Sequence, residues 1–257
     1  MKTQNVTLTT LVLSLAIASP LRAANPETEI VEVPVSQAFI PKEGFDDNDT
    51  VQVVLDGALP NSCYSLGEHT VTVNEEKKTV TVKQFAVRKK DGICAQNGAN
   101  LPIDAQMMIP FQGDVLVGQL NKGEYSVNFQ AQGGEKARRF DVTSAPATSI
   151  DNVRYAAVNN AYVPDVVKSG ENVVARLSGI LNSSCTQLAP EITVLKEGDV
   201  TVVMPPVVVT FNGPCLQVIR PFVRDLPLGP AGQEGRYLLH VRSMNGRSVN
   251  RVYSVDR

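Results

Sequence analysis

Gly57-Ala58-Leu59-Pro60-Asn61-Ser62-Cys63 and Gly179-Ile180-Leu181-Asn182-Ser183-Ser184-Cys185 are two versions of one stretch, 122 positions apart. Working outward, Ala38-Phe39-Ile40-Pro41 answers Ala161-Tyr162-Val163-Pro164, and Cys94 answers Cys215, at offsets of 123 and 121. Pro110-Phe111 answers Pro221-Phe222, and Gly123-Glu124-Tyr125 answers Gly235-Arg236-Tyr237, at 111 and 112. Chance supplies one such match but not five in order, so the chain reads as a duplication. The two domains are expected at 33–145 and 150–257, after a polar lead-in at 24–32. Between them lies a linker at 146–149, inside the small, proline-bearing run Ser144-Ala145-Pro146-Ala147-Thr148-Ser149. Its shortness predicts restricted domain motion.

Within each repeat the apolar period is two. Val51-Gln52-Val53-Val54-Leu55 is expected to end at Asp56-Gly57, and Thr70–Val73 and Thr79–Val82 flank a Glu75-Glu76-Lys77-Lys78 turn as a β-hairpin. Tyr125, Val127 and Phe129 alternate with Ser126 and Asn128, and Tyr237, Leu239 and Val241 alternate with Leu238, His240 and Arg242. Short β-branched runs punctuated by Gly, Pro, Asn and Asp predict an all-β chain of two tandem immunoglobulin-like β-sandwich domains. Tryptophan is absent, so the Cys…Trp…Cys core of antibody domains is missing and only the architecture carries over.

Four cysteines allow three connectivities. Duplication favours the one that repeats, Cys63–Cys94 and Cys185–Cys215, with one bridge in each domain. Each first cysteine is read as following a Gly turn after a strand, so each bridge ties a loop to a sandwich rim. Closing a loop of about 30 residues stabilises by roughly 3–4 kcal/mol in the chain-entropy model. No cysteine sits in a C-x-x-C pair or near histidine at zinc spacing. The pattern Gly-x-Leu-Pro-Asn-Ser-Cys-Tyr, a later Cys, Pro-Phe and Leu-x-x-Gly-x-Tyr-x-Val resembles exported bacterial immunoglobulin-like β-sandwich repeat modules, mostly of unassigned function. The likeness covers 57–127 well and 179–241 less well, where Asn182 and Thr186 replace Pro60 and Tyr64. It implies a fold and an export route and brings no catalytic residue.

Residues 1–23 have the layout of a secretory signal peptide: Lys2, an apolar core from Leu11 to Ala18, Pro20, and a small residue at Ala23. Cleavage is expected after Ala23, with Ala16-Ile17-Ala18 as a second small-x-small site. The core is too short to span a bilayer, no later segment is long enough, and no cysteine lies near the cleavage region to carry a lipid. No membrane span or lipid anchor is therefore expected. Export into an oxidising compartment, the periplasm or the cell surface, agrees with bridged cysteines.

Chemistry is sparse. His69 and His240, the two histidines, occupy non-equivalent places in the repeats, and neither a Gly-x-Ser-x-Gly elbow nor a His-Glu-x-x-His pair occurs. No enzyme, catalytic residue or cofactor is expected. Asp46, Asp47 and Asp49 concentrate oxygen ligands of the sort calcium takes, but they fail the EF-hand rule, repeat 2 has Lys168-Ser169-Gly170-Glu171 there, and a solvated turn is the expectation.

Charge divides the chain: residues 24–147 hold 11 basic and 17 acidic groups, and residues 148–257 hold 11 and 9. Arg236, Arg242, Arg247 and Arg251 fall on or beside the last hairpin and form a candidate contact for an anionic envelope polymer or acidic partner, against a plain solvated strand face. With few interleaved aromatics and an exported location, nucleic acid is not expected. The function expected is an exported, non-enzymatic binding or structural protein of the bacterial periplasm or cell surface, acting through loops or edge strands on a protein or envelope polymer. Two alternatives stand beside it: a periplasmic assembly chaperone working by β-strand addition, and an inhibitor of an exported protease.

Overall fold

The computed structural model describes residues 27–42, 44–90, 108–145, 154–211 and 213–257. The leader at 1–23, the linker at 146–149 and Cys94 lie outside the described residues. The fold is all-β. The N-terminal half holds β1 (Thr28–Val33), β2 (Gln37–Phe39), β3 (Phe45–Asp46), β4 (Val51–Leu59), β5 (Tyr64–Asn74), β6 (Thr79–Lys89), β7 (Ile109–Gly118), β8 (Gly123–Ala131) and β9 (Gly134–Thr143). The C-terminal half holds β10 (Ala157–Tyr162), β11 (Val166–Lys168), β12 (Asn172–Leu181), β13 (Thr186–Leu188) and β14 (Thr193–Glu197). It continues with β15 (Val200–Met204), β16 (Val207–Val209), β17 (Arg220–Pro230), β18 (Gly235–Ser243) and β19 (Arg247–Asp256).

In the N-terminal half the sheet β2-β4-β7 packs on β1-β6-β8-β9-β3, with β5 added to β6. Val51, Val53 and Leu55 of β4 meet Val80, Val82, Tyr125, Val127 and Phe140 between the layers. In the C-terminal half β10-β12-β17 packs on β11-β19-β18-β15-β14, and β13-β16 forms a separate pair. Ala175 and Leu177 there meet Leu239, Val241 and Tyr253. The expected hairpin is β5–β6, with Val73 opposite Val80 across the turn.

The two halves share their unusual features. β3 runs parallel to β9 and β6 to β8; β11 runs parallel to β19 and β15 to β18. Tyr125 Oη donates to the Asn121 carbonyl and Tyr237 Oη to the Gln233 carbonyl, each four residues upstream and each at 2.8 Å. This is the tyrosine-corner geometry of sandwich folds.

Gly57 corrects one expectation. Strand β4 does not end there but runs through Gly57 to Leu59, and Gly57 lies opposite Phe111 of β7, as Gly179 of β12 lies opposite Phe222 of β17. A Cβ on Gly57 would come within 2.6 Å of the Phe111 ring, and one on Gly179 within 2.8 Å of the Phe222 ring. These glycines admit an aromatic ring over the backbone; they do not make a turn. Cys185 is bonded to Cys215, with Cα atoms 5.3 Å apart. Cys63 is buried and disulfide-bonded, and Cys94, the partner the sequence assigns to it, falls outside the described residues.

Candidate functional site

The outward face of β18 decides what the grouped arginines do. Alternation places Arg236, Leu238, His240 and Arg242 on that face, and the face is covered by the N-terminal half. Leu238, Val200, Val202 and Val252 form an apolar cluster with Phe39 of β2 and Val54 of β4. Charged groups ring this cluster. Arg236 clamps Asp56 of β4 through Nε at 2.9 Å and Nη2 at 2.6 Å. Arg242 Nη1 lies 3.3 Å from Asp49 Oδ2, with its guanidinium over the Phe45 ring. On the far side Arg138 and Gln37 both donate to Asp199. Gln112 Oε1 accepts the Val252 N–H at 3.0 Å, and Ser248 donates to Gln52.

The anion-contact grouping is therefore revised by geometry. Arg236 and Arg242 neutralise carboxylates of the acidic half, and Arg251 pairs with Asp165. Arg247 begins β19 and is exposed. Part of the charge contrast between the halves is met across this seam, by Arg236 on Asp56 and Arg242 on Asp49, while Arg138 and Asp199 pair in the opposite sense. A cleft of about 350 Å³ at the seam edge is lined by Asp56, Arg236, Asp165, Arg251 and Phe111, with charges that answer one another.

The three aspartates before β4 are turned onto the protein. Asp46 Oδ1 accepts the Asn48 N–H, Asp47 Oδ1 accepts the Ala145 N–H at 2.9 Å, and Asp49 Oδ2 accepts the Asp46 N–H while facing Arg242. Burial raises the pKa of Asp49, and Arg242 and the Asp46 hydrogen bond work against that rise. Among the described residues no cluster suited to a metal ion occurs. The carboxylates cap a turn and anchor the seam.

His240 is buried in the seam, with Nδ1 2.7 Å from Asn250 Oδ1. Desolvation pushes its pKa down to about 4, Asn250 counters, and Arg242 adds to the fall. His69 sits on β5 in the other half and is exposed. The two imidazoles do not form one site.

Among the described residues, two open features of the C-terminal half lie away from the seam. A cleft of about 470 Å³ lies at one end of the C-terminal half, walled by Ala157, Ile180, Leu181, Val207, Val209 and Met244. That volume is in the range of small-molecule and side-chain pockets. Next to β16, the segment before β17 shows Phe211 and Leu216 to solvent, 79% and 61% exposed. Cys215 is bonded to Cys185, and Leu216 exchanges hydrogen bonds with Ser184 through its N–H and its carbonyl. These apolar side chains are thus held out on a covalently braced loop. Sequence reasoning misses this surface, although the uncharged run from Val200 to Ile219 is its signal.

No alpha-helix long and apolar enough to cross a membrane is present among the described residues. No curated protein and no solved structure matches the chain. Residues 53–142, from within β4 to within β9, match the family model of the ORF11 beta-sandwich domain.

Proposed function

We propose that this chain is an exported, non-enzymatic binding or structural protein of the bacterial periplasm or cell surface, built of two tandem immunoglobulin-like β-sandwiches. The observation that carries the reading is the braced apolar tip around Phe211 and Leu216. Contiguous apolar surface held out to water marks an interaction site, and a disulfide in the supporting loop lowers the entropy lost when a partner docks. The paired tyrosine corners and the recurring strand pairings support the tandem arrangement. The partner is a protein or an envelope polymer with apolar surface. The strand-addition chaperone has less behind it, because two of the arginines that would line an open basic cleft are engaged in the closed seam.

Protease treatment of intact cells, with a periplasmic marker as control, tests the location. Digestion is expected for a surface protein, and protection lost on opening the outer membrane for a periplasmic one; recovery in the cytoplasm with the leader attached overturns export. For the tip, Phe211→Ser with Leu216→Ser is expected to lower cosedimentation with isolated envelopes by at least about tenfold, as loss of a hot spot does. Unchanged cosedimentation removes the tip from the function.

A further inference from the structure

Two rows of outward side chains cross the seam face of the N-terminal half: Phe39–Val54–Asp114 and Gln37–Asp56–Gln112. The registers of β10, β12 and β17 generate the matching rows in the other half, Tyr162–Arg176–Asp225 and Asn160–Ser178–Val223. The centre of the first set is covered, with Phe39, Val54 and Asp56 buried, while Asp114 stays exposed at the end of its row. The second is bare, with Tyr162 55% and Val223 67% exposed, and Val174 open on the same face of β12. The same sheet in the two halves has opposite access to solvent.

We propose that the bare face of β10-β12-β17 docks a second copy of the chain, face to face about a two-fold axis. Charge is the first argument. Arg176 donates to Asp225 through Nε at 2.7 Å and Nη2 at 2.9 Å, and both side chains are more than half exposed. One cation and one anion side by side on a face that also exposes Tyr162, Val174 and Val223 are complementary to themselves under a two-fold rotation. Arg176 then meets Asp225 of the partner subunit.

The second argument excludes an open chain. Inside the molecule, the seam face is covered by the row Val200–Leu238–Val252. The corresponding row of the N-terminal half is Thr79–Ser126–Arg139, which is polar. A second copy therefore has no apolar row left on its N-terminal half to cover Tyr162 and Val223, and head-to-tail stacking does not propagate. Edge pairing through β17 is also disfavoured, because Pro221, Pro227 and Pro230 interrupt it at the sheet edge. Strands of six, ten and eleven residues give roughly 400 Å² a side, below the standard interface, so the dimer is a weak one.

Sedimentation equilibrium of the purified protein between about 1 and 200 µM, the range suited to a small interface, tests this. A reversible monomer–dimer equilibrium is expected, weakened at least about tenfold by Val223→Glu, a change at an exposed position. Arg176→Glu and Asp225→Arg should each be monomeric alone and should form a heterodimer when mixed, an outcome that misfolding does not produce. A monomer at the highest concentration, a larger assembly, a dimer indifferent to Val223→Glu, or no heterodimer on mixing overturns the proposal.

Discussion

Arg236 on β18 and Asp56 on β4, 180 positions apart in sequence, form a two-pronged ion pair across the seam between the halves. The Asp56 carboxylate is almost fully buried, while the Arg236 side chain is 39% exposed. Removing the cation leaves a buried charge unpaired, which is the costly direction. Solvent at the arginine softens the loss. Arg236→Gln is expected to destabilise the fold by about 1–3 kcal/mol, and Arg236→Gln with Asp56→Asn by less than the sum of the two single changes. Urea unfolding of the four proteins measures the coupling, and strict additivity would show that the pair contributes nothing to the seam.

The burial of His240 sets a pH dependence. Its pKa is about 4 in the fold, against 6.5 for an ordinary histidine. The unfolded chain therefore takes up the proton first as pH falls, and stability is lost between about 6.5 and 4. A depression of this size corresponds to roughly 3 kcal/mol. Asp49 and Asp114, both raised by burial, act with the opposite sign, since the fold binds their protons more readily than the unfolded chain does. Asp49 also faces Arg242 across the same seam. His240→Gln keeps a polar partner for Asn250 and removes the titration. Its stability should fall less steeply than the parent's from pH 6.5 to 4, and parallel profiles would sink the assignment.

Alternation in the sequence places Leu238, His240 and Arg242 together on one face of β18, and the structure agrees. What alternation does not carry is whether the face meets water. The clue lies elsewhere: Val51 to Asp56 of β4 and Val200 to Val203 of β15 are buried without a break, as in strands covered on both sides. Adjacent apolar residues on opposite faces of a strand, Val53-Val54-Leu55 and Val202-Val203, and opposite charges in the two halves together point to a closed seam, although either feature by itself is equally compatible with an open surface. The particular pairs, Arg242 with Asp49 and Arg236 with Asp56, depend on how two sheets stack, which no local pattern encodes. Gly57 misleads for a related reason. A glycine after a strand looks like a turn, and only the facing Phe111 shows that it is a place of close approach.

The two tyrosine corners are unequal. Tyr125 Oη lies 2.8 Å from the Asn121 carbonyl, 2.5 Å from Glu75 Oε2 and 3.0 Å from Lys78 Nζ. Tyr237 Oη donates to the Gln233 carbonyl and packs on Tyr253. For Glu75, desolvation pushes the pKa up, but hydrogen bonds from Tyr125, Lys78 and Asn121 outweigh it and hold the carboxyl at about 2. A lowered carboxylate pKa means stability present above the unfolded value and lost as pH falls towards 2. Tyr125→Phe should therefore cost about 1–3 kcal/mol at neutral pH, more than Tyr237→Phe, and should raise the pKa of Glu75. Carboxyl titration by NMR reads the second effect directly; an unmoved Glu75 would show that Lys78 and Asn121 set its charge without the tyrosine.

Gly57 and Gly179 occupy matching positions, yet alanine should not be equally tolerated there. At Gly57 a Cβ meets the Phe111 ring alone, and a ring near the sandwich rim can swing aside by repacking. At Gly179 the Cβ falls 2.1 Å from the carbonyl oxygen of Ala157, in the neighbouring strand, as well as against Phe222. Backbone in a paired strand cannot move without disturbing the β10–β12 ladder. Gly57→Ala is expected to cost about 1–2 kcal/mol and Gly179→Ala about 3 kcal/mol or more, in line with overpacking costs. Trimming the ring should then help one site and not the other. Phe111→Leu should recover part of the loss in Gly57→Ala, whereas Phe222→Leu should leave Gly179→Ala nearly as unstable, because the carbonyl clash remains. Thermal unfolding of the two pairs of double variants decides the matter, and equal rescue at both sites would mean that the rings, not the Ala157 backbone, limit the space.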